Sequence, residues 1–468
     1  MTDEDIRSLS VAEILERFRR LEAELARLQS ENGRLRAALD ASRREGKRQA
    51  APFSKGPPKP EPKKCGRKPG EAYGTKAFRR GCGSVDETYT VGLPPCCSHC
   101  GGELQWLKTE PQFQDEIRRE SIRRRFDIEI GRCTRCHKRV QERHALQTSD
   151  ALGAARNQLG PQAQALAVQM NKELGLSHGK VVRFFQTVFG IKLSRGGSAQ
   201  IMLRTSKRAD YAYQGILALM RQSPVVYPDE TGWKVGGALQ WLWTFVCAIA
   251  TAYVVRPNRS FEVAAEVLGA DYCGILGHDG LRSYDKFLWA AHQQCLAHIF
   301  RRCREMLETA TAGAVCFPRQ VKSLLRNALS LRDRRDAGEV SARGVAIVTG
   351  RLESRLDRLL TWRKTNPENE RLAGHLRRHR DEWFTFLKFP GVEATNWPAE
   401  QAIRPAVVNR KVWGGNRTEN GAKAQASLTS VLRTCWQQGR DPLEFLSRVL
   451  TAQAPRNRPR LFLTPALR

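Results

Sequence analysis

Immediately after Pro224 the chain changes character: VVYPDE, WLWTFVCAIA, AYVVR and CGILGHDG follow one another as short apolar runs rich in β-branched and aromatic residues. Runs of this length and composition read as consecutive strands of a sheet. The first ends on Asp229 and Glu230, the last on Asp279. Adjacent strands lie ~5 Å apart, so Asp229 and Asp279, each expected where a strand ends, could converge on shared metal. Asp271 and Asp285 are rivals for the second role, but neither directly ends an apolar run.

Acids placed at such points are unexpected in this chain, whose 468 residues include 78 Lys and Arg against 48 Asp and Glu, a formal net charge of +30. An excess of this sign points to a polyanionic partner, because Lys and Arg that neutralise phosphates release condensed counterions. Ribosomal, chromatin, nuclease and polymerase-like proteins all stay open on this ground. The length predicts two to four domains, and 41% hydrophobic residues suffice for packed cores. No presequence is recognisable in MTDEDIRSLS, and the longest apolar run, Trp241 to Val255, is shorter than the ~20 residues of a spanning helix. A soluble cytoplasmic protein with no membrane partner is expected.

Upstream, Val11, Ile14, Phe18, Leu21, Leu25, Leu28, Asn32, Leu35 and Leu39 alternate three and four apart, the seam of a coiled coil over residues 1–42. Asn32 falls at an a position, where it fixes register in a self-associating helix; one helix packed on its own domain is the alternative. Residues 43–92, including KGPPKPEPKKCGRKPG, read as a basic Pro/Gly-rich tether, either solvated or in contact with phosphate. Of the 13 cysteines, seven fall between Cys65 and Cys136, a distribution unlike a disulfide framework. Cys97-x2-Cys100 and Cys133-x2-Cys136 are two thiolate pairs suited to one tetrahedral Zn²⁺, with Cys96 able to compete with Cys97. A structural, zinc-ribbon-like module over 93–145 is expected.

Residues 146–222 read as helical. Pro161 suits a first turn, Ser177 a cap, and Gly175 and Gly190 helix ends; the pair is a helix-turn-helix or a hairpin that merely packs. Residues 301–390 are again helical and basic, an insertion that interrupts the strand pattern. Then ATNWPAEQAIRPAVVNRKVWGGN starts a helix at Asn396 and Pro398, with Glu400 in its first turn and Arg404 on the same face. Cys295 and His298 have the spacing of half a metal site; without a second pair, the buried-core reading is preferred.

The ordered motifs resemble one family. Asp229-Glu230-Thr231, Arg259 to Gly269, Asp279-Gly280 with Tyr284, Cys295-x-Ala297-His298, and Asn396, Glu400, Arg404, Arg410, Lys411 and Trp413 are similar to the insertion sequence 66 family of bacterial DDE transposases. Leu281 stands where that family usually has an aromatic residue. The resemblance implies a multidomain α/β protein with an RNase-H-like core over 223–300 and 391–445, followed by a basic tail over 446–468. It implies catalysis by Asp229, Asp279 and Glu400 with two Mg²⁺ ions, on DNA ends and target. It also implies accessory proteins of the same element and a nucleoid location, beside the homo-oligomer expected from the coiled coil. Glu230 is left as a supporting or exposed residue. Arg404 is left as a phosphate contact, a partner of a catalytic acid or a structural ion pair. A DNA-binding regulator with an inert core is the alternative function.

Overall fold

The computed structural model describes residues 85–109, 120–142, 144, 146, 147, 158–452 and 459–461, together with 12, 16, 19, 20, 22–33 and 35. Two compact units divide between Glu116 and Ile117, inside the segment expected to bind zinc. In the first unit, residues 22–33 are helical and exposed. Leu25, Leu28 and Leu35 of the expected seam are 58%, 56% and 59% exposed. Val11, Ile14, Phe18, Leu21 and Leu39, and most of the basic tether, lie outside the described residues.

The second unit begins with a small antiparallel hairpin of β1 (Ile130–Arg132) and β2 (Arg139–Gln141). Helices α1 (Pro161–Lys172), α2 (His178–Phe189) and α3 (Arg195–Gln222) follow. Pro161 opens α1, the Ser177 hydroxyl accepts the Lys180 N–H, and Gly190 closes α2 in the left-handed conformation.

The sheet comprises β3 (Val225–Val235), β4 (Ala238–Val246), β5 (Thr251–Arg256), β6 (Ile275–His278) and β7 (Ala291–Gln294), in spatial order β5-β4-β3-β6-β7. β3, β4 and β5 pair antiparallel, whereas β6 and β7 run parallel to β3. Side chains alternate between two faces. Trp243, Phe245, Ala252 and Val254 join the core shared with α3 and with α4 (Phe261–Leu268). Leu242, Tyr253, Val255 and Trp233 join Ala406 of α10 (Trp397–Trp413) and Ala422 of α11 (Glu419–Gln437). Trp233 and Trp243 are wholly buried, and each contributes about 2–3 kcal/mol through removal of its apolar surface from water.

Asp229 does not stand at a strand end as expected. β3 continues through Asp229 and Glu230 to Val235 because β4 pairs along its whole length, Asp229 opposite Thr244, as far as the Gly236-Gly237 turn. What stops before Asp229 is the parallel pairing on the other edge, confined to Val225 and Val226 against β6. Asp229 therefore lies where β3 and β6 part, at the junction between the antiparallel and parallel halves of the sheet. Crevices of this kind, beyond the carboxyl ends of parallel strands, collect ligands.

Between β7 and α10 the chain leaves the sheet through α5 (Leu296–Thr309), α6 (Cys316–Asp336), α7 (Ala342–Leu360), α8 (Pro367–Arg378) and α9 (Thr385–Lys388). Leu324, Leu352, Leu372, Trp383 and Phe386 are among the buried residues of their own apolar cluster. α5 runs across the boundary expected at residue 300. The excursion closes at a neck, where the Leu296 N–H donates to the Ala394 carbonyl at 3.0 Å. At the C-terminus, residues 446–451 are not tail but part of α12 (Pro442–Thr451), since Phe445, Leu446, Val449 and Leu450 recur at helical spacing and are buried.

Candidate active site

The neck brings Glu400 to the sheet. Asn396 caps α10 and is 1% exposed; its backbone N–H donates to Cys295 Sγ at 3.2 Å and its side-chain amide to the Pro228 carbonyl at 2.8 Å. One residue thus ties the start of α10 both to the residue preceding α5 and to the residue preceding Asp229. The far end of α10 is fixed to the same strand. Arg410 donates to Thr231 Oγ1 at 3.2 Å and to the Gly232 carbonyl, and Trp413 meets Trp233 edge to face at 5.7 Å. Glu400, in the first turn of α10, is held beside β3 from both sides.

Asp279 follows directly on β6, and its Oδ1 accepts the Leu281 N–H at 3.1 Å. Gly280 makes this turn with φ 90°, and a Cβ there would stand 2.9 Å from Gln294 Oε1, so only glycine fits. Asp279 and Glu400 each lie close enough to Asp229 to act on its carboxyl. Burial, then the neighbouring Glu230, Asp279 and Glu400, raise the Asp229 carboxyl to about 7, against the Glu230 N–H that donates to it at 2.8 Å. None of the three acids has an ion pair among the described residues. Mutually repelling carboxylates without a counter-charge fit a hard divalent cation, which takes oxygen ligands.

Glu230, one step along β3, has the opposite circumstances. Its side chain is 2% exposed, paired with Arg259, and accepts the Tyr284 hydroxyl at 2.9 Å. Burial and then Asp279 push its carboxyl up, while Arg259 and Tyr284 pull it down. Arg259 in turn lies over the Trp241 ring at 4.6 Å. Glu230 is therefore not the exposed residue that one reading allowed. It carries a charge neutralised in place, linking β3 to the loop after Asp279. Arg404 is exposed and forms no ion pair with Glu400 despite the favourable spacing. Asp271 and Asp285 are exposed.

Behind Asp279 sits a cluster that sequence reasoning missed. His278 is fully buried; its Nδ1 accepts the Gly280 N–H at 3.1 Å, and its Nε2 lies 2.9 Å from His292 Nδ1. His292 Nε2 lies 3.1 Å from the Phe287 carbonyl, which as an acceptor fixes both rings as neutral Nε2–H tautomers. Burial, then His292, lower His278 to about 3. Nearby, Glu382 accepts from Gln294 at 2.5 Å and lies 3.0 Å from His379 Nδ1. The only sequence signal was a histidine before Asp279 and another at even spacing in the next strand.

The two cysteine pairs share a local design in their separate units. Cys97 N–H donates to the Gly102 carbonyl at 2.9 Å and Gly101 N–H to the Cys97 carbonyl at 2.8 Å; Cys133 to Lys138 and His137 to Cys133 repeat both bonds at 2.9 Å. The fourth residue after the first cysteine takes positive φ in each, 76° at Gly101 and 56° at His137. Backbone N–H groups aimed at the sulfurs, of His99 and Cys100 in one pair and Cys136 and Arg135 in the other, lower the Cys97 and Cys133 thiols. This is the environment a metal-binding thiolate needs.

Cys295 is 3% exposed, as a core residue would be. Its sulfur, a ring nitrogen of His298 and a carboxylate oxygen of Glu400 nevertheless lie within 4.8 Å of one another. The sequence could not pair them, because Glu400 arrives only through the neck.

A family model described as the transposase IS66 family matches residues 156–424, more than half of the chain. The uncharacterized protein y4qI of Sinorhizobium fredii is 22% identical over 294 residues, covering 56% of this chain and 54% of that protein. The chain spans about half the length of this curated relative. No described helix is long and apolar enough to cross a membrane.

Proposed function

Since this chain belongs to the transposase IS66 family, we propose that it binds the ends of a mobile DNA element and catalyses metal-dependent strand cleavage and strand transfer through Asp229, Asp279 and Glu400. The observation that carries this reading is a cluster of three acids without a counter-ion in a protein of net charge +30. Strand order β5-β4-β3-β6-β7, with β6 and β7 parallel to β3, supports reading the core as RNase-H-like. Asp229, Asp279 and Glu400 would hold two Mg²⁺ ions, which when bound activate the attacking hydroxyl and stabilise the leaving oxygen.

The rest falls to the chain itself. Asn396 and Arg410 set α10 on β3, Gly280 allows the turn that presents Asp279, and the Arg259–Glu230–Tyr284 group ties the two acid-bearing segments together. Phosphate affinity comes from Lys and Arg across the protein and is salt-dependent. Arg404, exposed on the helix that carries Glu400, is available to the DNA backbone. The two cysteine knuckles bind structural Zn²⁺ through Cys97, Cys100, Cys133 and Cys136. The N-terminal helix associates with further copies, and accessory proteins of the same element complete the assembly.

The test is a Mg²⁺-dependent cleavage assay on element-end DNA beside a binding assay at the same salt. Asp229→Asn, Asp279→Asn and Glu400→Gln should each lose cleavage and joining but keep DNA binding, while Asp271→Asn, Asp285→Asn and Glu393→Gln remain active. Full cleavage by Asp229→Asn would overturn the assignment.

A further inference from the structure

Among the described residues, two groups bring three potential metal ligands together: His278, His292 and Glu382, and Cys295, His298 and Glu400. They differ in what their donor atoms already do. In the first, both nitrogens of both rings are engaged, and Glu382 accepts from Gln294 and faces His379. A cation there would have to break an existing network. In the second, His298 Nδ1 is buried without any hydrogen-bond partner, and the Glu400 carboxylate has neither hydrogen bond nor ion pair among the described residues. The residue that tethers the sulfur has an orphan of its own. Asn396, 1% exposed, donates its N–H to Cys295 Sγ at 3.2 Å, yet its Oδ1 is buried and unpartnered.

Buried polar atoms are almost always satisfied, so the orphaned nitrogen of His298, on a ring grouped with the Cys295 sulfur and the Glu400 carboxylate, calls for an occupant. A tetrahedral Zn²⁺, with bonds of about 2.0–2.3 Å, spaces its donors roughly 3.5 Å apart. Donor atoms within 4.8 Å need to close by only about an ångström. Sulfur, imidazole and carboxylate together select a borderline-soft ion over Mg²⁺. Three protein ligands with one open position would leave room for water.

We infer that Cys295, His298 and Glu400 form a site for Zn²⁺, distinct from the two cysteine pairs, and that zinc bound there withdraws Glu400 from Asp229 and Asp279. Binding stands on the ligand set alone; the second part rests on the catalytic reading given above. Binding exchanges the Cys295 thiol proton for the metal and leaves oxidation states unchanged. Mg²⁺, hard and strongly hydrated, does not compete for the sulfur. The device makes strand cleavage sensitive to free zinc through one shared carboxylate.

The test uses the full-length protein, with Zn²⁺ counted by elemental analysis after dialysis and Co²⁺ as the optical probe. Wild type should hold about one equivalent more zinc than His298→Ala or Cys295→Ser, and its thiolate-to-cobalt absorption should exceed that of Cys295→Ser. Because Cys295 is buried, circular dichroism of each variant accompanies the count, and His298→Ala, on the more open side, carries the result if Cys295→Ser fails to fold. Equal metal content in wild type and a folded His298→Ala protein overturns the site. Zinc added to the Mg²⁺ cleavage assay should inhibit wild type at a concentration at least tenfold lower than His298→Ala, each relative to its own zinc-free rate. Equal sensitivity overturns the sharing of Glu400. The metal count involves no activity, so failure of the catalytic reading would appear separately, as cleavage by Asp229→Asn.

Discussion

Two polar clusters flank the end of β6, and they are built on opposite principles. On one side, His278 and His292 pass hydrogen bonds from the Gly280 N–H to the Phe287 carbonyl, with every ring nitrogen engaged. On the other, Asp279 and Glu400 repel the buried Asp229 carboxylate, and none of the three has an ion pair among the described residues. The first arrangement lowers the energy of the folded chain and asks for nothing more. The second raises it and is tolerable only because Asn396, Arg410 and the Glu230 ion pair hold the backbone in place. A satisfied buried network reads as scaffold, an unsatisfied one as a site.

Substitutions at the two clusters should therefore separate function from stability. The largest effect is expected in catalysis: Asp279→Asn or Glu400→Gln should slow cleavage on the order of a thousandfold, about 4 kcal/mol of lost transition-state stabilisation. Melting temperature should not fall; a variant that cleaves normally would break the comparison. Next, His278→Phe orphans the Gly280 N–H and His292 Nδ1, and should lower stability by about 3 kcal/mol in chemical denaturation. Equal stability of that variant would mean the chain is not scaffold at all.

The third effect has the opposite sign. With its pKa raised from 3.8 to about 7, Asp229 favours the fold when protonated, so its contribution is complete below 3.8 and lost as pH rises through about 7. In chelator-treated protein, Asp229→Asn should thus be more stable than wild type by about 2 kcal/mol at pH 8, and indistinguishable from it near pH 4. Thermal melts at the two pH values check the sign. The smallest effect concerns Lys172, buried against α11 with the Gln425 side-chain oxygen at 2.9 Å and the Trp413 ring centroid 5.9 Å away, and lowered by burial from 10.5 to about 8. Lys172→Met should stabilise by about 1 kcal/mol at pH 7, the gain shrinking between pH 8 and 10.5 as wild type loses the proton in its fold. A loss of stability would show that the Gln425 amide and the Trp413 ring together outweigh the cost of burying the charge.

Much of this was written locally in the chain. The run after Pro224 carried the strands, Ser177 and Gly190 the bounds of α2, and Asn396 and Pro398 the start of the helix that holds Glu400, because propensities and caps act over a few residues. The family motifs named Asp229, Asp279 and Glu400, and the fold sets the last two near the first. What the sequence by itself could not supply was any relation carried by distance along the chain. That β3 runs on past Asp229 depends on pairing with β4, and the gap beside it depends on β6 stopping short. That Leu446 and Val449 are core rather than tail depends on the helices they meet. Adjacent acids of the same type, Asp229 and Glu230, read alike in sequence, yet one is left without a cation and the other is neutralised by Arg259, 29 residues on. Glu400 reaches Cys295 and His298 only because the helical excursion closes at Leu296 and Ala394. Local preference fixes which elements form; which charges meet is decided by packing, since Coulomb and hydrogen-bond energies follow separation in space and are blind to separation in sequence.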